Sequence, residues 1–147
     1  NHLLTTPTST FDKLIHTNLK GTFLFTRECS KLMRKSGGSI INFSTVASPL
    51  NLEGEAIYAS TKAAIEKLTR ISAFELSPFN IRVNCIGPTP VYTDLIKAVP
   101  KNKIEELLDS QAIKRLGDFN DIKNVIDFYA SEKSNFITGQ ILYLGGV

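Results

Sequence analysis

The sequence predicts the α/β class, a parallel sheet with helices packed against it. Two observations lead there. Short runs at 39–44, 81–86 and 140–144 have the length of strands, the first two rich in Ile and Val. Longer segments of helical period lie between them. Strands joined by helices must run parallel, and right-handed crossovers put helices on both faces of the sheet.

Taken in order, residues 1–8 are polar, contain Pro7 and read as a loop. Thr8, Ser9 and Thr10 offer N-caps to a helix from Phe11 to about Lys35, in which Phe11, Leu14, Ile15, Leu19, Phe23, Leu24 and Leu32 recur at helical spacing. Gly37-Gly38 stops it. The run Ser39–Ser44 is then a strand expected to be buried on both faces. A loop holding Pro49, Asn51 and Gly54 leads to a second long helix, about Ile57 to Leu76, which Ser77-Pro78 ends.

The next strand is Ile81–Ile86, and Gly87-Pro88-Thr89-Pro90 must be a loop, since two prolines so close forbid regular pairing. Short helices are expected over 93–98 and 102–112. Asp118 caps another that reaches about Ser131, with Asp121 in its first turn favoured by the helix dipole. Gly139 introduces the last strand and Gly145-Gly146 closes it. About three strands make a thin parallel sheet, so the chain is expected to be part of a larger one.

Bulk properties narrow the function. At 147 residues the chain is long enough for one domain, 1–147, with a real core. A composition of 42% hydrophobic and 21% charged residues excludes disordered and collagen-like classes. The net charge of +3 comes from scattered Lys and Arg with no aromatic interleaving, which argues against a nucleic-acid partner. The two cysteines, Cys29 and Cys85, show no metal-ligand spacing. They read as buried small hydrophobes in a reducing compartment, so no metal is expected. No apolar run approaches about 18 residues and no signal peptide is visible, so the expectation is a cytoplasmic protein without a membrane partner.

The chemistry begins at Tyr58-Ala59-Ser60-Thr61-Lys62. Positions i and i+4 share a helix face, which sets the Lys62 ammonium near the Tyr58 phenol. A nearby cation favours phenolate and would lower a pKa near 10. A tyrosine so tuned protonates a ketone oxygen, or deprotonates an alcohol, as hydride moves. The spacing recurs at Tyr129-Ala130-Ser131-Glu132-Lys133. Context separates the copies: Tyr58 opens a helix just beyond a strand end, where ligands sit in open α/β sheets. Tyr129 lies at a helix tail, with Glu132 blunting the charge of Lys133, and reads as ordinary packing.

Several further segments stand in order: Asn18-Leu19-Lys20-Gly21, Gly38-Ser39-Ile40-Ile41-Asn42-Phe43-Ser44-Thr45, Tyr58 to Ala64, Ile81-Arg82-Val83-Asn84 and Ile137-Thr138-Gly139-Gln140. With them the chain resembles, nearly end to end, the classical short-chain dehydrogenase/reductase family. In tone it is similar to the 3-oxoacyl-thioester reductase and the sugar or polyol dehydrogenase branches. The resemblance implies the C-terminal part of a Rossmann-type doubly wound parallel sheet. It implies an oxidoreductase that uses NAD or NADP on a ketone or secondary alcohol.

The same resemblance implies site residues. Asn18, Thr45, Tyr58 and Lys62 take the catalytic positions, with Thr45 and Tyr58 meeting the substrate. Asn18 would hold a water in a proton relay to Lys62, and Lys62 would also bind the nicotinamide ribose. The family has serine thirteen positions before its tyrosine, and counting back from Tyr58 gives Thr45, with Ser44 as the neighbouring candidate. Threonine keeps the hydroxyl but adds a methyl that restricts χ1. Pro88, Val91 and Thr93 fall at cofactor-binding positions, whereas Thr89 stands where the family has glycine. Residues 94–116 would form a substrate lid with Leu95, Ile96, Val99, Ile104, Leu107 and Leu108 as its apolar surface.

The family's glycine-rich dinucleotide turn has no counterpart in the chain and is expected upstream of residue 1. On that ground the whole protein is expected to be active and the isolated chain inactive. Helices 11–35 and 57–76 correspond to the family's subunit interface, which implies a homodimer or homotetramer. Thr45 and Thr89 favour the opposing reading, a non-catalytic relative serving as a binding or assembly module.

Overall fold

The computed structural model describes residues 2–93, 96 and 99–147. The first helical segment begins earlier than its apolar period suggests. It comprises α1 (Thr8–Leu14), a π-helical stretch (Ile15–Lys20) and α2 (Gly21–Met33). Pro7, extended at φ −66° and ψ 144°, is the N-cap, and its carbonyl accepts from the amides of Thr10 and Phe11. Thr8, Ser9 and Thr10 are therefore the first turn rather than its caps. The wide π turns are a departure from the continuous α-helix that the sequence predicts, and they hold Asn18. Gly37, at φ +68°, ends the segment by donating to the Met33 carbonyl. A side chain there would meet the Asn80 carbonyl oxygen at 2.8 Å.

The strands are β1 (Gly38–Phe43), β2 (Ile81–Gly87) and β3 (Ile141–Tyr143), all parallel and in the order β1-β2-β3. Register runs from Gly38 opposite Ile81 to Phe43 opposite Ile86, then from Cys85 opposite Ile141 to Gly87 opposite Tyr143. The central strand, β2, is the one buried on both faces. In β1 only Asn42 is buried, because its outer edge pairs with no other described strand. After β1 comes a short helix, α3 (Ala47–Leu50), in the stretch expected to be a loop. The helix α4 (Ala56–Leu76) follows. Beyond β2 lie α5 (Lys101–Asp109) and α6 (Phe119–Ala130). Of the helix expected over 93–98, residues 94, 95, 97 and 98 lie outside the described residues.

Side-chain direction alternates along the strands, so both faces are covered. On one face Ile40, Ile81 and Val83 pack with Ala73 and Leu76 of α4, closed by Met33 of α2 and by Phe79. On the other, the paired residues Ser39 and Arg82 both reach the tail of α6. Ser39 donates to the Tyr129 carbonyl at 2.8 Å. The Arg82 guanidinium donates to the carbonyls of Tyr129, Ser131 and Ile137 and to the Ser134 hydroxyl, at 3.0 to 3.5 Å. A guanidinium is suited to this because its fork serves several carbonyls left open at a helix end. The other end of α6 is fixed by reciprocal bonds between Asp118 and Asp121. Arg115 grips the same Asp121 with two bonds and brings its carboxyl down to about 2.

Arg82→Ala removes the charged donor that serves this helix end. It is expected to lower the unfolding free energy by about 2–3 kcal/mol, with Arg82→Lys recovering only part. Urea denaturation of the three proteins checks this, and coincident curves would show that the guanidinium contributes nothing to holding α6.

Candidate active site

The catalytic candidates gather at the carboxyl end of β1. This strand finishes at Phe43, the Ser44 amide donates to the Ile86 carbonyl, and the chain turns through Thr45 into α3. Tyr58 and Lys62 lie in the first turns of α4, which begins above that strand end. The Lys62 ammonium donates to the Phe43 carbonyl at 3.0 Å and sits 5.8 Å from the centre of the Tyr58 ring. The i, i+4 pairing is thus realised as an ammonium near the ring rather than a bond to the phenol oxygen.

This geometry reverses one expectation. The Tyr58 pKa lies above its ordinary value, not below. Burial is the chief cause, the nearby Thr45 side chain pulls it back, and the Glu55 carboxylate pushes it up again. Lys62 is held below the usual lysine value by the same desolvation. The raised Tyr58 pKa keeps its phenol protonated at neutral pH, with the half-buried Lys62 side chain beside it.

The choice between Thr45 and Ser44 is also a matter of direction. The Thr45 hydroxyl lies close enough to the Tyr58 phenol to act on its pKa, and it accepts from the Ala47 amide at 3.3 Å. Ser44 is 4% exposed and points the other way, donating to a Glu66 carboxylate oxygen at 2.5 Å. Adjacent residues leaving a strand end face opposite sides, so only one of the two hydroxyls can meet the phenol.

Asn18 joins this group indirectly. Its side-chain amide donates to the Thr61 hydroxyl at 3.0 Å, and that hydroxyl donates to the Tyr58 carbonyl at 2.8 Å. Thr61 is fully buried, so the bond ties the π-helical stretch to the turn that carries Tyr58. Neither Thr61 nor Glu66 is among the residues picked out from the sequence. The signal available was their spacing: Glu66 continues the series Tyr58, Lys62 at four-residue steps along one helix face.

The second tyrosine–lysine copy is dismantled by the fold. Tyr129 is 3% exposed within α6, which ends at Ala130, and Lys133 is exposed on a separate turn. The cysteines divide. Cys85 is buried in β2, its thiol pushed up to about 11 by burial and the Glu66 carboxylate. Cys29 is exposed, contrary to expectation, because α2 turns it toward a groove along the open β1 edge.

After β2, Pro88 accepts from the Val46 amide, and Val91 forms a parallel bridge with Gly117. The Thr93 carbonyl accepts from the Ile96 amide. Thr89 takes no left-handed backbone, since Asn51 and Asn80 are the positive-φ non-glycine residues among those described. Its hydroxyl donates to the side-chain oxygen of fully buried Gln111, whose amide nitrogen donates to the Ile113 and Arg115 carbonyls. Its methyl lies 3.0 Å from where a Cβ on Gly117 would stand. The loop beyond β2 is thus keyed into the segment that follows α5. Of the expected lid surface, Leu107 is buried, Ile96, Val99, Ile104 and Leu108 are half-buried, and Leu95 lies outside the described residues.

A family model described as enoyl-(acyl carrier protein) reductase matches residues 1–146. The chain belongs to the short-chain dehydrogenase/reductase family. Among curated relatives it is 34% identical over 137 residues to a 3-oxoacyl-(acyl-carrier-protein) reductase of Staphylococcus epidermidis, covering 92% of this chain and 56% of that protein. It is 36% identical over 138 residues to human (3R)-3-hydroxyacyl-CoA dehydrogenase, covering 92% of this chain and 53% of that one. The chain therefore spans about half the length of these relatives. A solved structure of NAD+-bound xylitol dehydrogenase superposes with a TM-score of 0.88 at 25% identity, over 99% of this chain and 63% of the other. These family relatives are oxidoreductases, and the fold of the xylitol dehydrogenase structure is the one seen here. Among the described residues no helix is long and apolar enough to cross a membrane.

The Asn18–Thr61 bond makes a checkable claim about the site's scaffold. Thr61→Val keeps the shape and removes both hydrogen bonds. It is expected to cost about 1–2 kcal/mol and to speed amide exchange across residues 18–23. Unchanged exchange there would show that this bond does not hold the π-helical stretch.

Proposed function

We propose that this chain carries the catalytic half of an enzyme that moves hydride between a nicotinamide cofactor, NAD or NADP, and a ketone or secondary alcohol. In this reading Tyr58 is the general acid and base. The observation that carries it is the meeting of Tyr58, Thr45 and Lys62 at the carboxyl end of β1, the side on which open α/β sheets bind ligands.

The donors present suit such a cofactor. An ammonium has three N–H groups, and Lys62 spends one on the Phe43 carbonyl, which leaves two for ribose hydroxyls. Pro88, Val91 and Thr93 follow the end of the neighbouring strand and take the carboxamide and pyrophosphate side. When bound, the nicotinamide supplies or accepts the hydride. The rest of the dinucleotide cradle lies, in this proposal, in the half of the family fold that the chain does not span, so the 147 residues alone turn over no substrate.

In reduction, the protonated Tyr58 phenol gives its proton to the carbonyl oxygen while the Thr45 hydroxyl donates a second hydrogen bond to it. The raised pKa of Tyr58 keeps the acid form populated at neutral pH. Lys62, close to the ring, then stabilises the phenolate left behind, and Asn18 holds a water through which the proton is replaced. In oxidation the same groups run in reverse. The 3-oxoacyl, hydroxyacyl and xylitol names of the relatives support an acyl-thioester, sugar or polyol substrate. Large apolar side chains exposed on the two long helices, among them Phe25, Leu32 and Phe74, support a homodimer or homotetramer through those faces.

The whole protein, given NADH or NADPH with a panel of ketones and 3-oxoacyl thioesters, is expected to oxidise cofactor. Tyr58→Phe should lower kcat by at least about 100-fold. No turnover, or turnover untouched by the substitution, removes the proposal.

A further inference from the structure

One buried carboxylate has no part in the chemistry above. Glu66 lies one helical turn beyond Lys62 on α4 and is 7% exposed. Burying a carboxylate is costly unless hydrogen bonds replace its water. Its neighbours on the buried face, Ile65 and Ala73, show that apolar side chains fit this surface.

The partners of Glu66 come from the other end of the fold. Ser44, the first residue after β1, donates to it at 2.5 Å. The second neighbour is Tyr143 of β3, whose phenol lies near enough to Glu66 and to Ser48 of α3 to feel both. Tyr143 reaches across β2 only because Gly87 lies beneath its ring. A Cβ at that position would stand 2.3 Å from the ring's Cδ1 atom. Ser44 and Ser48 bracket Thr45 on either side.

We propose that Glu66 is the positioning residue for the Thr45 hydroxyl: it holds the Ser44 end of the Ser44–Ser48 turn by a direct hydrogen bond, with Tyr143 packed beside it near Ser48, and so aims Thr45 at Tyr58. The inference rests on reading Thr45 and Tyr58 as the substrate-facing pair. Charged and titratable groups around the two centres are known. Glu55 and Lys62 flank Tyr58, while Cys85 and Tyr143 face Glu66, with Arg70 acting on Tyr143. The Thr45 side chain opposes the effect of burial on Tyr58, so a turn that drifts lets the phenol titrate at higher pH.

The test reads Tyr58 directly and needs no turnover, so it stands apart from the assay of activity. The chain is labelled with 3-fluorotyrosine, which lowers every phenol pKa into a range the fold tolerates. Tyr58 is followed by fluorine NMR, with its signal assigned by Tyr58→Phe. Glu66→Leu keeps volume and removes both acceptors, and should move the Tyr58 midpoint up by about one pH unit. Glu66→Gln keeps an acceptor oxygen for Ser44 and should leave it within a few tenths. Ser44→Ala cuts one tether without touching Tyr143 and should shift Tyr58 in the same direction as Glu66→Leu; it decides the matter if Glu66→Leu does not fold. A parental Tyr58 midpoint in folded Glu66→Leu or in Ser44→Ala, or a Gln variant as displaced as Leu, overturns the proposal.

Discussion

The polar inner face of α4 is the constraint on which the site depends. A helix laid on a parallel sheet is ordinarily held by an apolar stripe. Here Ile65 and Ala73 supply part of one, but Thr61, Glu66, Thr69 and Ser72 are buried beside them. Each polar member named next has a partner on a different element. Thr61 takes Asn18 from the π-helical stretch, Thr69 takes Asn42 from β1, and Glu66 takes Ser44 beyond that strand. Asn42 in turn accepts from Thr26 of α2. Hydrogen bonds are directional where apolar contact is not, so these pairs set the rotation and axial position of α4. That setting puts Tyr58 and Lys62 over the end of β1.

A similar logic explains how the loop after β2 tolerates a residue unlike the family's glycine. Glycine is needed where φ is positive or where another group comes close. Thr89 meets neither condition in this chain. The close approach has moved to Gly117, against which the Thr89 methyl rests, and Gln111 accepts its hydroxyl. Two glycines, Gly87 and Gly117, thus make room for side chains from other elements, Tyr143 and Thr89, each at the edge of the site.

Much of this was legible in the sequence. Strand positions came within a residue or so, because Ile81–Ile86 is a short run, buried except at Arg82, whose β-branched residues favour a strand. The Asp118 cap announced α6, since an acid three residues on completes the box. What stayed hidden was set by tertiary contact. The π-helical turns around Asn18 have no local signature, and they carry the long-range bond from Asn18 to Thr61. The raised Tyr58 pKa depends on burial, which the spacing of Tyr58 and Lys62 does not encode. Cys29 looked like core because it sits in a helical pattern, yet it lines the groove along the open edge of β1 and is exposed there. In the choice between Ser44 and Thr45, counting favoured the second, and the alternation of direction at a strand end gives the physical reason.

The central claim is that Tyr58 and Thr45 converge on one substrate oxygen above the end of β1. A crystal structure of the whole protein with oxidised nicotinamide cofactor and an unreactive secondary amide or alcohol tests it most directly. One ligand oxygen is expected within about 2.6–3.2 Å of both the Tyr58 Oη and the Thr45 Oγ1 atoms, with Ser44 still turned to Glu66. A ligand oxygen bound away from Tyr58, or held by Ser44 in place of Thr45, would contradict it.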